Sequence, residues 1–330
     1  MRIALNDDVD KNKWEEFLNR NSLASPFQTP AFYQFINSLE NHKAEVIAVS
    51  DDQNKMKALA VVTIHNERGI KKYFSKRGVI YGGPLFTDQS SSKYLVNLLA
   101  QHFRKQLIYL EVRNFFDYSE FHSSYIKWEH NQHLNVQVET TNFEDIDDYL
   151  KSLKYNRRRE IKQSIKNGAT YSQCRTKQEV REVYEILREL YEKRVKLPLP
   201  PFNFFGEMLN NESFVVFKVI HDDKIIGGAF CPVLRGRGIY TMYYCGIRNY
   251  HKKIFPTHLA VLATIDFSFK NHLKKVDLMG AGRPDETYGV RKYKEQFGGK
   301  TVQHGRYLLI LKPLLFKFGK VGLSVLRKLK

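Results

Sequence analysis

The sequence predicts a mixed α/β protein in which two similar domains are fused in tandem and followed by a basic amphipathic tail. Two observations lead to this prediction. At 330 residues, the chain exceeds the roughly 100 to 200 residues that are typical of one domain. The same order of predicted elements also occurs twice, at an offset of about 160 to 170 residues, and such self-similarity indicates an internal duplication.

The first half opens with two short amphipathic helices. Trp14, Phe17 and Leu18 have helical spacing, and the apolar residues after Pro30 repeat at the same period. A hairpin is predicted next, from the apolar runs AEVIAVS and MKALAVVTIH on either side of the polar turn DDQNK. It is followed by a predicted strand, GVIYGGPLF, a helix, SSKYLVNLLAQHFRKQ, and another strand, LIYLEVR.

The second half repeats this order. A leading helix begins at a capping box formed by Thr176 and Glu179. The predicted hairpin consists of SFVVFKVI and IIGGAFCPV around the turn HDDK, and it precedes the strand GIYTMYYCG. The last two predicted elements are the helix THLAVLATIDFSFKNH and the strand KVDLMGAG.

We place the domain boundary where the strand HLNVQVETT gives way to an acidic helix start and then to a basic run. This gives an N-terminal domain over 1–145, a C-terminal, catalytic domain over 146–311 and the tail over 312–330. The alternative is that two unrelated mixed α/β segments look alike at this level of detail. The shared order of five elements favours the duplication.

The chain is strongly basic, with 53 Lys and Arg against 35 Asp and Glu, a formal net charge of +18 and a pI of about 9.6. Such a field attracts nucleic acid, nucleotide-linked substrates or anionic lipid. The three cysteines show no CxxC spacing, so we expect neither a metal site nor a disulfide framework. With no signal peptide and no apolar run of membrane-spanning length, the expected location is the cytoplasm.

A basic run in the second half supplies the first candidate site residues. Seven basic side chains and one Glu occupy residues 151–166, and Arg157, Arg158 and Lys162 are the candidates for binding phosphate. A run of this kind suits a diphosphate, a tRNA acceptor end or lipid phosphates. The alternative is a solvated helix face without a ligand.

A glycine-rich segment after the last strand supplies a second group of candidates. Arg283 follows Gly280 and Gly282, and the later motif YKEQFGG contains Tyr293 and Lys294. A lysine in such a place is suited to binding an oxyanion or a carboxylate. The alternative is a tight turn followed by a surface helix. Neither a Rossmann nor a P-loop pattern occurs in the chain.

The order of SPFQTPAFYQF, NRRREIKQSIKNG, KLPLPPFNFF, the hairpin around HDDK and YKEQFGG resembles the FemABX-type peptidyltransferases and the related BioF2-like acyltransferases, which have the GNAT fold. The resemblance covers residues 10–311. It implies two tandem GNAT-like domains with a cleft between them, and transfer of an aminoacyl or acyl group to an amine.

The resemblance also implies roles for single residues. Lys294 matches the family lysine at the reacting end, and Tyr244 matches a tyrosine on the strand before the crossover helix. The basic segment, here Arg157, Arg158 and Lys162, would bind the anionic part of a substrate. His258, at the start of the crossover helix, is a candidate substrate or proton contact, although a structural role is the alternative.

One departure from the GNAT pattern concerns the donor. Proteins that use coenzyme A present a glycine-rich turn whose N–H groups bind the pyrophosphate. The corresponding stretch here, RNYHKKIFPT, has no glycine, so we expect no coenzyme A bound in the usual way. We expect no tightly bound cofactor and no metal. The donor is aminoacyl-tRNA or acyl-CoA, and the chemistry needs no covalent enzyme intermediate.

The favoured acceptor is a lipid-linked or nucleotide-linked saccharide or peptide of the cell envelope, as in peptidoglycan synthesis. The tail 312–330 alternates apolar and basic side chains and is predicted to contact an anionic membrane surface at the inner face of the cytoplasmic membrane. Packing of the tail onto the protein is the alternative. Two other functions stay open: acyl-CoA-dependent N-acylation of a surface polysaccharide amino sugar, and a noncatalytic adaptor for nucleic acid or membrane.

Overall fold

The computed structural model describes residues 1–40, 42–66 and 76–319 and confirms a mixed α/β fold with two sheets. The chain divides into two compact units. The first comprises the described residues of 1–133 together with 303–319, and the second comprises Leu134–Val302.

The strands are β1 (Arg2–Leu5), β2 (Lys43–Ser50), β3 (Met56–His65), β4 (Arg77–Gly82), β5 (Leu85–Phe86), β6 (Tyr109–Asn114), β7 (Glu129–Asn131), β8 (Leu134–Glu139), β9 (Thr170–Gln173), β10 (Phe214–His221), β11 (Lys224–Leu234), β12 (Gly238–Tyr240), β13 (Tyr243–Gly246), β14 (Lys275–Gly280), β15 (Lys300–Gln303) and β16 (Arg306–Ile310). The helices are α1 (Lys11–Arg20), α2 (Pro30–Ser38), α3 (Gln89–Phe103), α4 (Ile146–Ser152), α5 (Tyr155–Lys166), α6 (Lys177–Leu190), α7 (Phe202–Gly206), α8 (Pro256–Lys270), α9 (Gly289–Glu295) and α10 (313–319).

The first unit is built on a sheet in the order β1-β2-β3-β4-β6-β16-β7, with β5 paired to β3. The predicted hairpin is β2 and β3, and the predicted helix is α3. Leu95, Val96 and Leu99 of α3 are buried with the inward-facing residues of β3, β4 and β6, because one apolar helix stripe covers one face of the sheet.

The second unit has a sheet in the order β15-β8-β14-β12-β11-β10-β9, with β13 paired to β11. Its centre is β11, which is covered on both faces. A side chain at Gly228 would collide with Val183 of α6, whereas the next residue, Ala229, lies in the core that contains α8. The apolar sequence of α8 follows from this position, since eleven of its residues are buried.

The two sheets have the same strand order, and the fourth strand is interrupted in both. Each predicted single strand, GVIYGGPLF and GIYTMYYCG, is divided, into β4 and β5 in one unit and β12 and β13 in the other. In each unit the first piece runs parallel to the fifth strand, and the second piece pairs, among the described residues, with the third strand alone. This correspondence confirms the tandem duplication.

The last strand of each repeat lies in the sheet of the other unit. Strand β8 follows β7 in the chain, yet it lies between β14 and β15 in the second sheet. Strand β16 follows β15, yet it lies between β6 and β7 in the first sheet. The units are therefore bounded differently from the predicted domains, at 133/134 and 302/303 rather than at 145/146 and 311/312. Local sequence patterns identify a strand but not the sheet in which it pairs.

The predicted tail is described only as far as residue 319. Residues 313–319 are helical, and Phe316 contacts Tyr109 with a ring-centroid distance of 5.3 Å. The rest of the predicted tail, 320–330, lies outside the described residues. Among those that are described, no helix is both long enough and apolar enough to span a bilayer.

Candidate active site

The candidate site lies between β13 and β14, at the point where the pairing of β12 with β14 ends. Strands β12 and β14 are paired in parallel as far as Tyr240 and Asp277, and a last hydrogen bond runs from the Thr241 N–H to the Asp277 carbonyl (2.8 Å). Beyond this point the interrupted fourth strand continues as β13, which pairs with β11 and with no other strand in the part of the chain that the structure describes. The break between Tyr240 and Tyr243 therefore leaves a gap between β13 and β14.

Lys294 of α9 reaches both sides of this gap. Its Nζ donates to the Gly280 carbonyl at the end of β14 (2.8 Å) and lies 6.0 Å from the ring centroid of Tyr244 on β13. The side chain is only 6% exposed. An ammonium group has three donors, and within the described residues Gly280 is its one hydrogen-bond acceptor. Two N–H groups of a buried cation thus remain for another oxygen.

Burial determines the ionisation of Lys294. It lowers the pKa of the amine to about 8, against the opposing effect of the Asp277 carboxylate, whose negative charge favours the ammonium form. Lys294 is therefore largely protonated at neutral pH, and close enough to its pKa to exchange a proton.

The Asp277 carboxylate is fully buried and is held by donors from β8 and β14. It accepts hydrogen bonds from Nε2 of Gln137 (2.9 Å), from Nδ2 of Asn135 (3.3 Å) and from the Met279 N–H (2.7 Å). Such bonds compensate the cost of burying a charge. The exchanged strand β8 thereby supports the electrostatic environment of Lys294.

A series of stacked and hydrogen-bonded side chains holds α9, the helix that carries Lys294, in place. The ring of Tyr293 is stacked on Tyr244, with centroids 6.1 Å apart, and its hydroxyl lies 3.1 Å from Nδ1 of His258. Nε2 of His258 lies 3.1 Å from Oε2 of Glu160. Burial and the nearby charge of Arg157 lower the pKa of His258 to about 3, so the imidazole is neutral.

The neutral state of His258 fixes the direction of these hydrogen bonds. The Glu160 carboxylate only accepts, so Nε2 of His258 carries the proton and donates to it. Nδ1 then accepts the hydrogen bond of the Tyr293 hydroxyl. Burial also raises the pKa values of Tyr293 and Tyr244, so both phenols stay protonated and can donate.

Arg157 lies beneath this series and is 3% exposed. Its guanidinium carbon lies 4.8 Å from the Tyr293 ring centroid and 4.6 Å from that of Phe297. It donates to the Gln296 side chain and forms an ion pair with Glu160 at 3.6 Å. Nε and Nη1 of Arg157 have no hydrogen-bond acceptor in the described structure.

The structure brings together some of the predicted site residues and separates others. Lys294, Tyr244, Tyr293, His258 and Arg157 form one connected group in the second unit. The others point elsewhere, as three side chains show. Arg158 donates to the Lys151 carbonyl on the outer side of α5, Lys162 is exposed on the same helix, and Arg283, 62% exposed, pairs with Asp285.

Comparison with known proteins places this site in a family context. Residues 151–295 match the acetyltransferase (GNAT) domain family. Among solved structures, the fold is similar to that of FemX, with a TM-score of 0.72 and 12% identity over 96% of this chain and 99% of that chain. Residues 151–295 thus match a GNAT domain, and the fold of the chain is similar to that of FemX.

Two further solved structures are similar to this chain in fold. L-PGS from Bacillus licheniformis gives a TM-score of 0.57 and 13% identity over 92% of each chain. A tandem GNAT protein from the clavulanic acid biosynthesis pathway gives 0.53 and 9% identity over 94% of this chain and 99% of that chain. No curated protein matches the sequence. The family match assigns an acetyltransferase-type domain to residues 151–295, which supports an acyltransferase or aminoacyltransferase enzyme.

The turn that leads into α8 is where GNAT domains that use coenzyme A bind pyrophosphate. Here the Lys253 N–H donates to Nδ1 of His251 (3.1 Å), the Ile254 N–H to the His251 carbonyl (3.4 Å) and the Phe255 N–H to Oγ of Ser164 (2.9 Å). Pro256 has no N–H. The three N–H donors at residues 253–255 of this turn therefore have acceptors within the second unit.

Sequence reasoning missed Glu160 and Gln296 of this GNAT site. The sequence did contain a sign that Arg157 and Arg158 lie on different faces of α5. Arg157, Ile161 and Ser164 recur at helical spacing, and all three are buried in the structure. The contact of Gln296 with Arg157 joins residues 139 positions apart, and no local pattern reports it. Within the described residues, no group of three His, Cys, Asp or Glu side chains could bind a metal ion.

Proposed function

We propose that this enzyme transfers an aminoacyl group from charged tRNA to an amino group of a cell-envelope precursor, and that the carbonyl oxygen of the donor ester binds Lys294. The observation that carries the proposal is the buried ammonium group of Lys294, which has two N–H groups uncommitted at the gap between β13 and β14. A preorganised cation in a water-poor site stabilises the oxyanion that develops during acyl transfer.

The reaction needs no covalent enzyme intermediate. The acceptor amine attacks the ester carbonyl, the C–N bond forms as the bond to the ribose oxygen breaks, and the proton lost by the amine passes to the leaving alkoxide. The ring of Tyr244 lies 6.0 Å from Nζ of Lys294, and its protonated hydroxyl is assigned the role of orienting the carbonyl oxygen. The neutral His258 holds Tyr293 in place and is assigned a positioning role.

The turn before α8 favours charged tRNA over acyl-CoA as the donor. Its N–H groups at residues 253–255 have acceptors within the protein, so these three are not available to bind the pyrophosphate of coenzyme A. Transfer from acyl-CoA to an amino sugar is the second candidate, because residues 151–295 match an acetyltransferase family.

The acceptor is proposed to be lipid-linked, and the enzyme to act at the inner face of the cytoplasmic membrane. Support comes from the described part of the tail, where Leu314 and Phe318 are 72% and 64% exposed and lie one helical turn apart beside Lys317. An exposed apolar pair with a neighbouring cation suits an anionic bilayer surface.

The test is mass spectrometry of reactions that contain the purified protein, either charged tRNA or acyl-CoA, and extracted lipid-linked envelope precursors. We expect a mass gain of the acceptor that depends on charged tRNA and is lost in Lys294→Met. Lys275→Met is the matched control, because Lys275 is a partly buried lysine of the same unit whose pKa is also lowered. A gain with acyl-CoA alone assigns the second candidate, and no gain with either donor in any preparation favours the adaptor function.

A further inference from the structure

The outer face of α5 carries a groove of about 390 Å³ that lies apart from the Lys294 group. It is lined by Tyr155, Arg158, Arg159, Lys162, Gln163 and Lys166. Four of these six side chains are cations and none is an acid. The helix turns Arg157, Ile161 and Ser164 inward, so the groove belongs to the opposite, solvent-facing side.

The cations of this groove have no acidic partner within the described structure. The one acid on α5, Glu160, is directed inward, where it contacts His258 and Arg157. Helix α6 of the same unit provides the comparison. There Arg188 pairs with Glu185 and with Glu192, and Glu189 pairs with Lys193; Glu192 and Lys193 belong to the helical turn Tyr191–Val195 that continues α6. A solvated helix face in this protein is thus neutralised by its neighbours, and the face of α5 is not.

This arrangement opposes helix stability unless an anion occupies the groove. Arg158, Lys162 and Lys166 recur every four residues, and like charges at this spacing repel one another. Four residues correspond to a rise of about 6 Å along the helix. The three cations therefore form a row that suits a ligand with regularly repeated negative charges.

The aromatic residue at the start of the row indicates the kind of ligand. Tyr155 is 67% exposed, and the guanidinium of Arg159 lies 5.7 Å from its ring centroid. Proteins that bind single-stranded nucleic acid combine a basic groove for the backbone with exposed aromatic rings on which bases stack. A helix that binds a membrane instead exposes an apolar face. Of the two aliphatic residues of α5, Ile161 is fully buried and Ile165 is 45% exposed.

We propose that the outer face of α5 binds a single-stranded segment of RNA. Arg158, Lys162 and Lys166 contact its phosphates, and Tyr155 stacks on a base. The identity of this RNA as the donor tRNA rests on the proposed function, whereas RNA binding in the groove does not. The groove is distinct from the reacting centre, so it contributes affinity for the donor and not the chemistry of transfer.

The test is fluorescence anisotropy of a labelled oligouridine over a salt series, with variants that remove equal charge from two helices. Arg158→Gln combined with Lys162→Gln alters the groove, and Arg188→Gln combined with Lys193→Gln alters α6 and the helical turn that continues it. Each lost phosphate contact reduces the slope of log K against log salt concentration by about 0.7. We expect a reduction of about 1.4 for the α5 pair and none for the α6 pair, and about a fivefold or greater loss of affinity for Tyr155→Ala.

Equal changes in both pairs would overturn the proposal, because the overall charge of +18 would then account for binding. The proposal would also be overturned if the α5 pair left the salt dependence of RNA binding unchanged but lost binding to phosphatidylglycerol vesicles. That result would assign this face of α5 to a membrane surface. Lys294→Met is expected to bind oligouridine like the wild type. The two proposals can fail separately. If the α5 pair selectively loses RNA binding but the wild type transfers nothing from charged tRNA, RNA binding by the groove is supported and the proposed function is rejected.

Discussion

Lys294 is a charged side chain that the fold stabilises poorly. Burial lowers its pKa from 10.5 to about 8, which corresponds to about 3 kcal/mol opposing the folded state when the amine is protonated. The hydrogen bond to Gly280 offsets about 1 kcal/mol of this cost. Buried ionisable groups with shifted pKa values cluster at functional sites. The position of Lys294 at the gap therefore indicates a role in function and not in stability.

We predict that Lys294→Met raises the free energy of unfolding by about 2 kcal/mol at pH 7 while it abolishes transfer. The unfolded chain binds more protons than the folded protein between pH 8 and 10.5, so wild-type stability rises with pH over this window and the advantage of the variant disappears. Urea denaturation at several pH values measures the difference. A variant that is less stable at pH 7, or a difference that does not change with pH, contradicts the assignment.

Arg157 and Glu160 form a pair in which each residue depends on the other. Arg157 is buried, and Glu160, at 3.6 Å, is the acid paired with it in the described structure. Removal of one partner of a buried ion pair leaves an uncompensated charge and costs about 3 to 5 kcal/mol, whereas replacement of both is often tolerated.

We therefore predict that Glu160→Gln destabilises the protein by about 3 kcal/mol and that adding Arg157→Met recovers most of this loss. Methionine can fill the space between Tyr293 and Phe297 without a charge. Chemical denaturation of the two single variants and the double variant forms a double-mutant cycle. Additive losses would show that the two side chains act independently.

At the scale of elements, the sequence was sufficient for what is local and insufficient for what is not. Apolar periodicity and capping residues predicted α1, α3, α6 and α8, and alternating runs around polar turns predicted both hairpins. The partners of β8 and β16 were not predictable, because a period of two residues identifies a strand and its buried face but not the sheet that accepts it. The sequence likewise predicts one continuous strand across Thr241, where the structure has the break that opens the gap beside β14.

The strand exchange predicts which unit each substitution affects. Gln137 precedes the predicted boundary at 145/146, yet its side chain donates to Asp277 of the second unit. We expect Gln137→Leu to cost about 2 kcal/mol, because it removes a donor from a buried carboxylate, and to accelerate hydrogen exchange in peptides that contain β14.

Asn114→Leu is the matched control for this substitution. Asn114 is also buried, and its Nδ2 donates to the His304 carbonyl in the first unit (3.1 Å). Its replacement should accelerate exchange in peptides of β6 and β16. Hydrogen exchange measured by mass spectrometry distinguishes the two patterns, and faster exchange at β6 in Gln137→Leu would show that β8 pairs differently from the structure.

At the scale of the whole molecule, the sequence predicted the excess of positive charge and its concentration in residues 151–166, but not how a single helix divides it. One face of α5 directs Arg157 into the protein beside Tyr293, and the other presents four cations to solvent. The amino-acid composition gives only the total charge of this segment and not its distribution between the two faces. The division follows from the helical period of 3.6 residues, which separates Arg157 from Arg158 by about 100°.

The position of β16 has a consequence for synthesis on the ribosome. The first sheet contains a place between β6 and β7 that is filled by residues 306–310, which are translated long after Asn131, the end of β7. At about 5 to 20 residues per second, the emerging N-terminal segment waits about 10 to 35 s with two unpaired strand edges exposed. Such edges are templates for aggregation, so the nascent chain is expected to need a chaperone during this interval, and the first unit to reach its native state only after the second has been made.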